Sequence, residues 1–303
     1  MAIGYKTYNQ IDKTKWDQCI TTADNSLVYA FSFYLDAMAD NWDALVMDDY
    51  ECVLPLTWKK KYAVNYLYQP AFTAQLGVFG KNITADLVKE FLENIPAKFK
   101  YWDFFLNHGN YFQLNSFELY ERVNYVLSLN DEYEKIYRNY RENVKRNIKK
   151  SLQFNCTARK DFPVDDIIGI AKEQFKNIDS VGDSDYKRFK QLYTSLHKKK
   201  MAVTYGIYSP ANDLLASCVF LLDKRRAYYI LVGNHPNGKT IGASHALIDA
   251  FIRDYSGKNL LLDFEGSDIR NLAFFYSSFG ATTEKYAGIK MNKLSKLFRL
   301  FKN

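Results

Sequence analysis

The second half of the chain alternates short apolar runs with helical patterns in an order typical of an α/β domain. A strand-like segment near 154–159 precedes helical patterns near 164–176 and 184–198, and the strand-like runs AVTYGIY, LLASCVFLLD and RAYYILVG follow. A helix near 240–255, the strand NLLLDF, a helix across DIRNLAFFYSSFG and a last strand EKYAGIKM complete the order. Short runs of this composition, bounded by turn residues, predict strands. The pattern therefore predicts a mixed sheet with helices on its faces.

The first half repeats this order less completely. Its predicted elements are a strand near 3–8, helices near 13–22 and 30–39, strands across DALVM, CVLPLTW and AVNYLY, a helix near 84–94, and strands near 101–106 and 117–129. Two copies of one architecture are the economical interpretation. We place the first domain at residues 1–130 and the second at residues 131–303. The predicted fold class is α/β (α+β), with two tandem domains that each have a mixed central sheet flanked by helices.

Composition adds limits on the class of protein. The chain has 303 residues, of which 48% are hydrophobic and 25% are charged, so it is long enough to bury a substantial core. Its N-terminus has no apolar signal segment, and the longest apolar run, LLASCVFLL, is about half of a membrane span. We therefore expect a cytoplasmic protein without a transmembrane segment. The four cysteines and four histidines follow no ligand spacing, so no metal site is expected.

Much of the net charge of +7 is concentrated in the segment DEYEKIYRNYRENVKRNIKKS. Apolar residues recur there at helical spacing over 131–150, and six bases between Arg138 and Lys150 face the single acid Glu142. The basic face of this helix is either an ordinary solvated surface or a surface that binds an anionic substrate or a nucleic acid. On the second interpretation, Arg141 and Arg146 are candidate substrate-binding residues and tRNA is a candidate partner.

The segment NHPNGKTIGASHALIDAFI joins a predicted strand to a predicted helix through a turn that contains two glycines. A helix N-terminus exposes unpaired N–H groups at the positive end of its dipole, and glycine lets an anion approach the backbone. Main-chain donors from Gly238 to Ala243 are therefore candidates to bind a phosphate group. The alternative is that the turn is ordinary and that Gly242 only permits close packing. The candidate residues are Gly238, Lys239, Thr240, Ile241, Gly242, Ala243 and Ser244.

This order of strand, glycine turn, helix, strand and the helix AFFYSSFGA resembles the core of GNAT acyltransferases. In that family a turn of the pattern Q/R-x-x-G-x-G/A holds the pyrophosphate of acyl-CoA; here Asn237 and Thr240 depart from the pattern and Gly242 matches it. The resemblance implies acyl-CoA, such as acetyl-CoA, as donor. It also implies that backbone N–H groups of Leu231, Val232 and Gly233 stabilise the oxyanion if the strand splays there. Tyr276 aligns with the tyrosine that protonates the leaving thiolate, although packing in the core is an equal alternative.

A second resemblance covers nearly the whole chain. The motifs YQPAFTAQLGVFG, YRENVKRNIKKS, GAS and LLDFEGS, in that order, are similar to the FemAB-like and related tandem-GNAT acetyltransferases. It implies an N-acyltransferase that moves an acyl group from acyl-CoA to an amine bound between the two domains. One alternative is a Fem-type enzyme, which takes an aminoacyl group from tRNA and adds it to a peptidoglycan precursor. Another is a catalytically silent module that binds anions or nucleic acid, because fold does not determine function.

Other polar residues are candidates for roles in such a site. Asp263 and Glu265 alternate along LLDFEGS, so they should point to one face near the end of a strand, where either could deprotonate an ammonium. The alternative for this pair is a salt bridge or a helix cap. Tyr68, Gln69 and Gln75 lie in a turn-rich segment and are candidates for substrate binding, or else belong to an ordinary loop.

The C-terminal tail KLSKLFRLFKN places apolar residues on one helical face and bases on the other. This pattern predicts either a docked terminal helix or a peripheral contact with a membrane surface.

Overall fold

The computed structural model describes residues 2–174, 176, 181–266 and 268–294. The chain forms two compact units: the first unit is Met1–Arg122 with Lys285–Asn303, and the second unit is Val123–Glu284. Each unit contains a mixed sheet flanked by helices, which confirms the predicted fold class. The predicted C-terminal tail lies outside the described residues from residue 295 onward.

The secondary structure follows the predicted order closely. The strands are β1 (Ile3–Lys6), β2 (Asn41–Met47), β3 (Cys52–Lys61), β4 (Val64–Tyr68), β5 (Phe79–Gly80), β6 (Phe99–Phe105), β7 (Leu119–Ser128), β8 (Thr157–Lys160), β9 (Ala202–Tyr208), β10 (Leu214–Leu222), β11 (Arg226–Asn234), β12 (Leu261–Asp263) and β13 (Thr282–Asn292). The helices are α1 (Lys13–Thr22), α2 (Ser32–Met38), α3 (Ala85–Glu93), α4 (Tyr133–Arg138), α5 (Glu142–Gln153), α6 (Val164–Gln174), α7 (Asp183–Lys198), α8 (Pro236–Thr240), α9 (Ala243–Tyr255) and α10 (Arg270–Ser277).

In the first unit the sheet runs β1-β2-β3-β4-β6-β13, and β5 pairs with β3. The pairing of β4 with β6 is parallel, whereas β1, β2, β3 and β4 form antiparallel neighbours. The apolar stripe of α3 packs against this sheet in one hydrophobic core. It is formed by Val88, Phe91 and Leu92, which are buried. Helices α1 and α3 each begin at a polar cap, because Asp12 and Thr84 accept hydrogen bonds from N–H groups of the first turn.

In the second unit the sheet runs β7-β12-β11-β10-β9-β8, with β11 and β12 parallel. Helices α5, α9 and α10 bury their apolar residues in one core with β9, β10 and β11. Helix α6 packs on β11 at Gly233, where an added Cβ would lie 3.0 Å from the carbonyl oxygen of Ile167. The glycine therefore allows the close approach of α6 to this strand.

Three predicted boundaries differ from the structure. The predicted helix over 131–150 is divided into α4 and α5, and the predicted helix near 240–255 is preceded by the separate short helix α8. The last strand was assigned to the second domain, but Gly288–Asn292 of β13 pairs with β6 in the first unit. The duplication of the two domains, with the donor turn in the second copy alone, stays a prediction.

Candidate active site

The glycine turn is a short helix followed by a sharp change of direction. Pro236 begins α8, where its missing N–H is tolerated, and the Nδ1 atom of His235 accepts a hydrogen bond from the N–H of Asn237 at 3.2 Å. Gly242 then takes the left-handed conformation, with φ 74°, and α9 begins at Ala243. The predicted helix N-terminus is present, but it follows α8 and not an open loop.

Both glycines of this turn are in close contact with neighbouring backbone. A Cβ at Gly242 would lie 2.5 Å from the carbonyl oxygen of Asn147 in α5, and a Cβ at Gly238 would lie 2.2 Å from that of Leu215 in β10. The side-chain amide of Asn147 also lies 3.4 Å from Nε2 of His245. Helix α5 therefore fills the space beside Gly242, as the packing alternative predicted.

Several polar groups of the turn already have partners within the chain. The N–H of Gly238 donates to the carbonyl oxygen of His235 at 2.9 Å. The hydroxyl of Ser244 donates to Oδ1 of Asn234 at 2.8 Å, and that of Thr240 donates to the carbonyl oxygen of Asn237 at 3.1 Å. Helix α5 thus occupies the Cβ side of Gly242, and binding of a CoA diphosphate by the main-chain N–H groups of this turn stays a prediction.

The histidine in the first turn of α9 does not add positive charge to this end of the helix. His245 packs edge-on against Phe275, with ring centroids 4.8 Å apart, and lies near Phe279. Burial lowers the pKa of His245 to about 4, so the ring is neutral at physiological pH. The helix dipole and the exposed Lys239 still favour an anion at this end of the helix.

Strand β11 continues past the end of its parallel neighbour. The register of β11 with β12 covers three pairs and ends at Tyr228 opposite Asp263, whereas pairing with β10 continues to Asn234 opposite Ala216. A register shift near Ile230 marks a bulge in the pairing with β10. Within the described residues, Leu231, Val232 and Gly233 therefore have a strand partner on the β10 side but not on the β12 side, and an oxyanion site at their N–H groups stays a prediction.

Aromatic side chains and one carboxylate converge at this open end. Tyr276 of α10 is buried and stacks on Phe264, with ring centroids 4.8 Å apart, and its ring lies 6.4 Å from that of Tyr229. Burial raises the pKa of Tyr276 above its ordinary value, and the nearby charge of Glu265 raises it further. Tyr276 therefore stays protonated near neutral pH and is a potential proton donor.

Glu265 does not belong to β12, so the alternation argument that paired it with Asp263 was wrong for this residue. The strand ends at Asp263, and Glu265 lies beyond it in the left-handed region with φ 61°. Its N–H donates to Oδ1 of Asp263 at 2.8 Å. A non-glycine residue in this conformation is strained by about 1–3 kcal/mol, and such strain is concentrated at functional sites. Of the two carboxylates, Glu265 is the one whose charge raises the pKa of Tyr276.

Asp263 instead forms part of a buried ion-pair network. Its Oδ2 atom lies 2.8 Å from Nη1 of Arg226, and its Oδ1 accepts from the amide of Asn124 at 2.9 Å. Arg226 also binds both carboxylate oxygens of Glu284, at 2.7 and 2.9 Å. Burial raises the pKa of Asp263 and the Arg226 guanidinium opposes that rise. This geometry favours the salt-bridge alternative for Asp263.

The candidate residues of the first unit form hydrogen bonds with backbone groups of that unit. The hydroxyl oxygen of Tyr68 accepts from the N–H of Asp40 at 2.8 Å. Gln69 donates to the carbonyl oxygen of Thr73 at 2.7 Å and accepts from the N–H of Phe105 at 2.9 Å. Gln75 is buried, and its side-chain oxygen accepts from the N–H of His108 at 2.8 Å. These contacts favour the loop alternative, and a substrate contact by these residues stays a prediction.

A cluster of buried asparagines in the first unit was not predicted. The side-chain amides of Asn25, Asn107 and Asn110 all donate to the carbonyl oxygen of Val78, at 2.8, 3.0 and 3.0 Å. Gly77, with φ 100°, brings its backbone so close that an added Cβ would lie 2.4 Å from Oδ1 of Asn110. The motifs NHGN and LGVFG carry this signal, because asparagine and glycine at short spacing indicate side-chain-supported turns.

The outward face of α5 carries exposed bases. Arg141 precedes α5, and its guanidinium lies 5.1 Å from the ring centroid of the exposed Phe274. Lys145 pairs with Glu142 at 3.0 Å, whereas Arg146, Lys149 and Lys150 form no ion pair within the described part of the chain. The helix therefore presents an unneutralised basic surface, which fits both interpretations of its sequence, and contact with an anionic substrate or a nucleic acid stays a prediction.

Each unit contains a cavity. One of about 880 Å³ in the first unit is bordered by α1, α3 and the turn between β2 and β3, and another of about 380 Å³ in the second unit lies between α5, β8, β9 and α9. Among the described residues, no group of three His, Cys, Asp or Glu side chains is arranged to hold a metal ion. In the same residues, no helix is both long and apolar enough to cross a bilayer.

Comparison with solved structures shows which fold the chain has. FemX superposes with a TM-score of 0.66 at 10% identity, over 100% of both chains. A protein of unknown function from Bacteroides thetaiotaomicron gives 0.59 at 12% identity, over 95% of this chain and 99% of that one. The C-terminal domain of a putative lysylphosphatidylglycerol synthetase from Agrobacterium fabrum gives 0.52 at 9% identity, over 86% of each. No protein-family model and no curated protein matches. The chain has a GNAT/FemAB-like fold.

Proposed function

We propose that this protein is an acyl-type transferase that moves an acyl group from an activated carbonyl to an amine. The reaction is assigned to the second unit, at the open edge of β11. The observation that carries the proposal is that Tyr276 lies beside Tyr229 of β11 and Phe264, just after the point where β12 ends and β11 continues. The same unit supplies main-chain donors along that edge.

The chemistry asked of these groups is addition followed by elimination. The amine nitrogen bonds to the carbonyl carbon, and the N–H groups along β11 stabilise the oxyanion that forms. Glu265 takes a proton from the amine, and the carbon–oxygen bond to the leaving group then breaks as the oxyanion collapses. The leaving oxygen takes a proton from Tyr276, and proton transfer from Glu265 through solvent restores the phenol.

For the donor, the Fem-type alternative is supported better than acyl-CoA. The turn that would hold a CoA diphosphate is packed against α5, as described above. Arg141, whose guanidinium lies over Phe274, and the exposed Arg146 offer a polyanion a surface outside that turn. We therefore propose an aminoacyl-tRNA donor and a peptidoglycan precursor as the amine acceptor. A tRNA acceptor end supplies the unpaired bases and phosphates that arginine and aromatic side chains bind.

The experiment is a transfer assay with two labelled donors in parallel. The purified protein is incubated with a peptidoglycan precursor peptide and either a mixture of charged tRNAs, labelled in the amino acid, or labelled acetyl-CoA. We expect an amide product from charged tRNA and none from acetyl-CoA. An amide product formed from acetyl-CoA would show that the donor is acyl-CoA. Binding of tRNA without product from either donor would favour the silent binding module.

Glu265→Gln is expected to lower the rate of this transfer by about 10²- to 10⁴-fold, because the amide cannot accept the proton of the amine. The substitution keeps the side-chain volume, so the melting temperature should change little. Glu173→Gln, at an exposed carboxylate of α6, is the matched control and should keep full activity. A Glu265→Gln variant as active as the parent would remove Glu265 from the mechanism.

A further inference from the structure

The C-terminal end of α5 bears two protruding apolar side chains next to two lysines. Leu152 is 64% exposed and Phe154 is 52% exposed, whereas the inward stripe of α5, formed by Val144 and Ile148, is buried. Lys149 and Lys150, just before them, are exposed and form no ion pair within the described residues. We call these four residues, Lys149, Lys150, Leu152 and Phe154, the α5 tip.

The backbone of the α5 tip is held by hydrogen bonds. The N–H of Phe154 donates to the carbonyl oxygen of Lys150 at 3.1 Å, and the N–H of Asn155 donates to that of Leu152 at 2.9 Å. Asn155 takes the left-handed conformation, with φ 53°, and the N–H of Cys156 closes the turn on Ser151 at 3.2 Å. The two apolar side chains are therefore presented on a hydrogen-bonded turn, which lowers the entropy lost on binding.

From this geometry we propose that the α5 tip docks on an anionic lipid surface. Leu152 and Phe154 enter the boundary between headgroups and acyl chains, and Lys149 and Lys150 contact the acidic headgroups. Large apolar side chains beside lysines fit such a surface, because both apolar burial and attraction to anionic lipid contribute to binding. The inference concerns peripheral contact and does not depend on the proposed function.

Charge and chemistry favour lipid over two other occupants. A two-fold contact with a second copy would bring Lys149 and Lys150 near their own counterparts, and like charges oppose that arrangement. An RNA strand could stack a base on Phe154, but the more exposed Leu152 is aliphatic and offers it no stacking surface, whereas both side chains suit a lipid boundary. Arg141, near Phe274, lies eleven residues before Leu152, so the two ends of α5 are about 16 Å apart. The tip and the surface proposed for tRNA can therefore be tested separately.

The test is co-sedimentation with vesicles made of equal parts phosphatidylcholine and phosphatidylglycerol, compared with vesicles of phosphatidylcholine alone. We expect the parent protein to bind the anionic vesicles, and Leu152→Ser with Phe154→Ser to weaken that binding by about tenfold or more, which corresponds to about 1.4 kcal/mol. Lys149→Glu with Lys150→Glu should weaken it at least as much and should make the remainder insensitive to salt.

The matched control replaces two exposed apolar residues outside the α5 tip, Ile269→Ser with Leu272→Ser, and should leave vesicle binding unchanged. Melting temperatures of all variants establish that they are folded. No binding of the parent to anionic vesicles would overturn the proposal, as would equal binding by the tip variant. Loss of tRNA binding, but not of vesicle binding, in the tip variant would assign this surface to nucleic acid.

Discussion

Replacing Gly242 with alanine is expected to lower the free energy of unfolding by about 3 kcal/mol. The left-handed conformation costs an L-residue about 1–2 kcal/mol, and forcing extra volume into a packed contact costs about 1–3 kcal/mol more. Both costs apply here, because φ is 74° and the added Cβ would lie 2.5 Å from the backbone oxygen of Asn147. Urea denaturation followed by circular dichroism measures the change.

Gly257→Ala is the matched control for this effect. Gly257 has the same φ of 74°, but an added Cβ there meets nothing within 4 Å. Gly257→Ala should therefore lower the free energy of unfolding only by the cost of the left-handed backbone conformation, about 1–2 kcal/mol. Equal losses in the two variants would mean that α5 does not press on the turn, and the space beside Gly242 would again be open to a phosphate.

Arg226→Met is expected to lower the free energy of unfolding by about 3–5 kcal/mol, since removing one partner of a buried ion pair leaves its counter-charges unpaired. Arg226 serves two carboxylates at once, and the carboxylate of Asp263 is almost fully buried. Thermal and urea unfolding of the variant and the parent provide the measurement. A loss in free energy of unfolding below about 1 kcal/mol would mean that this network stabilises the fold no more than a solvent-exposed ion pair does.

Lys285→Met is the control, because Lys285 pairs with Glu121 at 2.9 Å in an exposed position and should lose about 0–1 kcal/mol. The pH dependence gives a second test of Arg226→Met. Without the guanidinium, the folded-state pKa of Asp263 rises further above its unfolded value, so the folded variant binds a proton more readily than the unfolded chain. The loss in free energy of unfolding of Arg226→Met, relative to the parent, should therefore be largest at pH values above the raised pKa of Asp263. It should become smaller as the pH falls through that pKa.

The order of elements could be predicted because it depends on local patterns. Apolar runs such as LLASCVFLL and RAYYILVG became β10 and β11, and the amphipathic segment after Gly242 became α9. The break between α4 and α5 depends on tertiary contacts instead: the N–H of Arg141 donates to the carbonyl oxygen of Ser278 at 2.9 Å. Neither partner is near the other in sequence, so periodicity alone does not reveal the break.

The same limit applies to the candidate site. The sequence indicated that Gly242 would begin a helix, but the contact with Asn147 joins residues 95 positions apart and decides whether the turn is open. The apolar run NLLLDF correctly predicted a strand that ends near Asp263, but alternation did not predict the left-handed conformation of Glu265 or the pairing of Asp263 with Arg226, which depend on the tertiary fold. The packing of Tyr276 against Tyr229 and Phe264 likewise depends on the fold, although Tyr276 was a candidate from its motif.

The central claim is that α5 closes the diphosphate turn and that the donor arrives on RNA. The most direct test is to titrate the amide-labelled protein with CoA and with uncharged tRNA, following the amide resonances of Ala243 and Ser244 and the overall affinity. We expect no saturable shift of these two resonances with CoA, and tRNA binding that weakens steeply with salt and with Arg141→Ala and Arg146→Ala together. Saturable CoA shifts at Ala243 and Ser244, with no salt-dependent binding of tRNA, would contradict the claim.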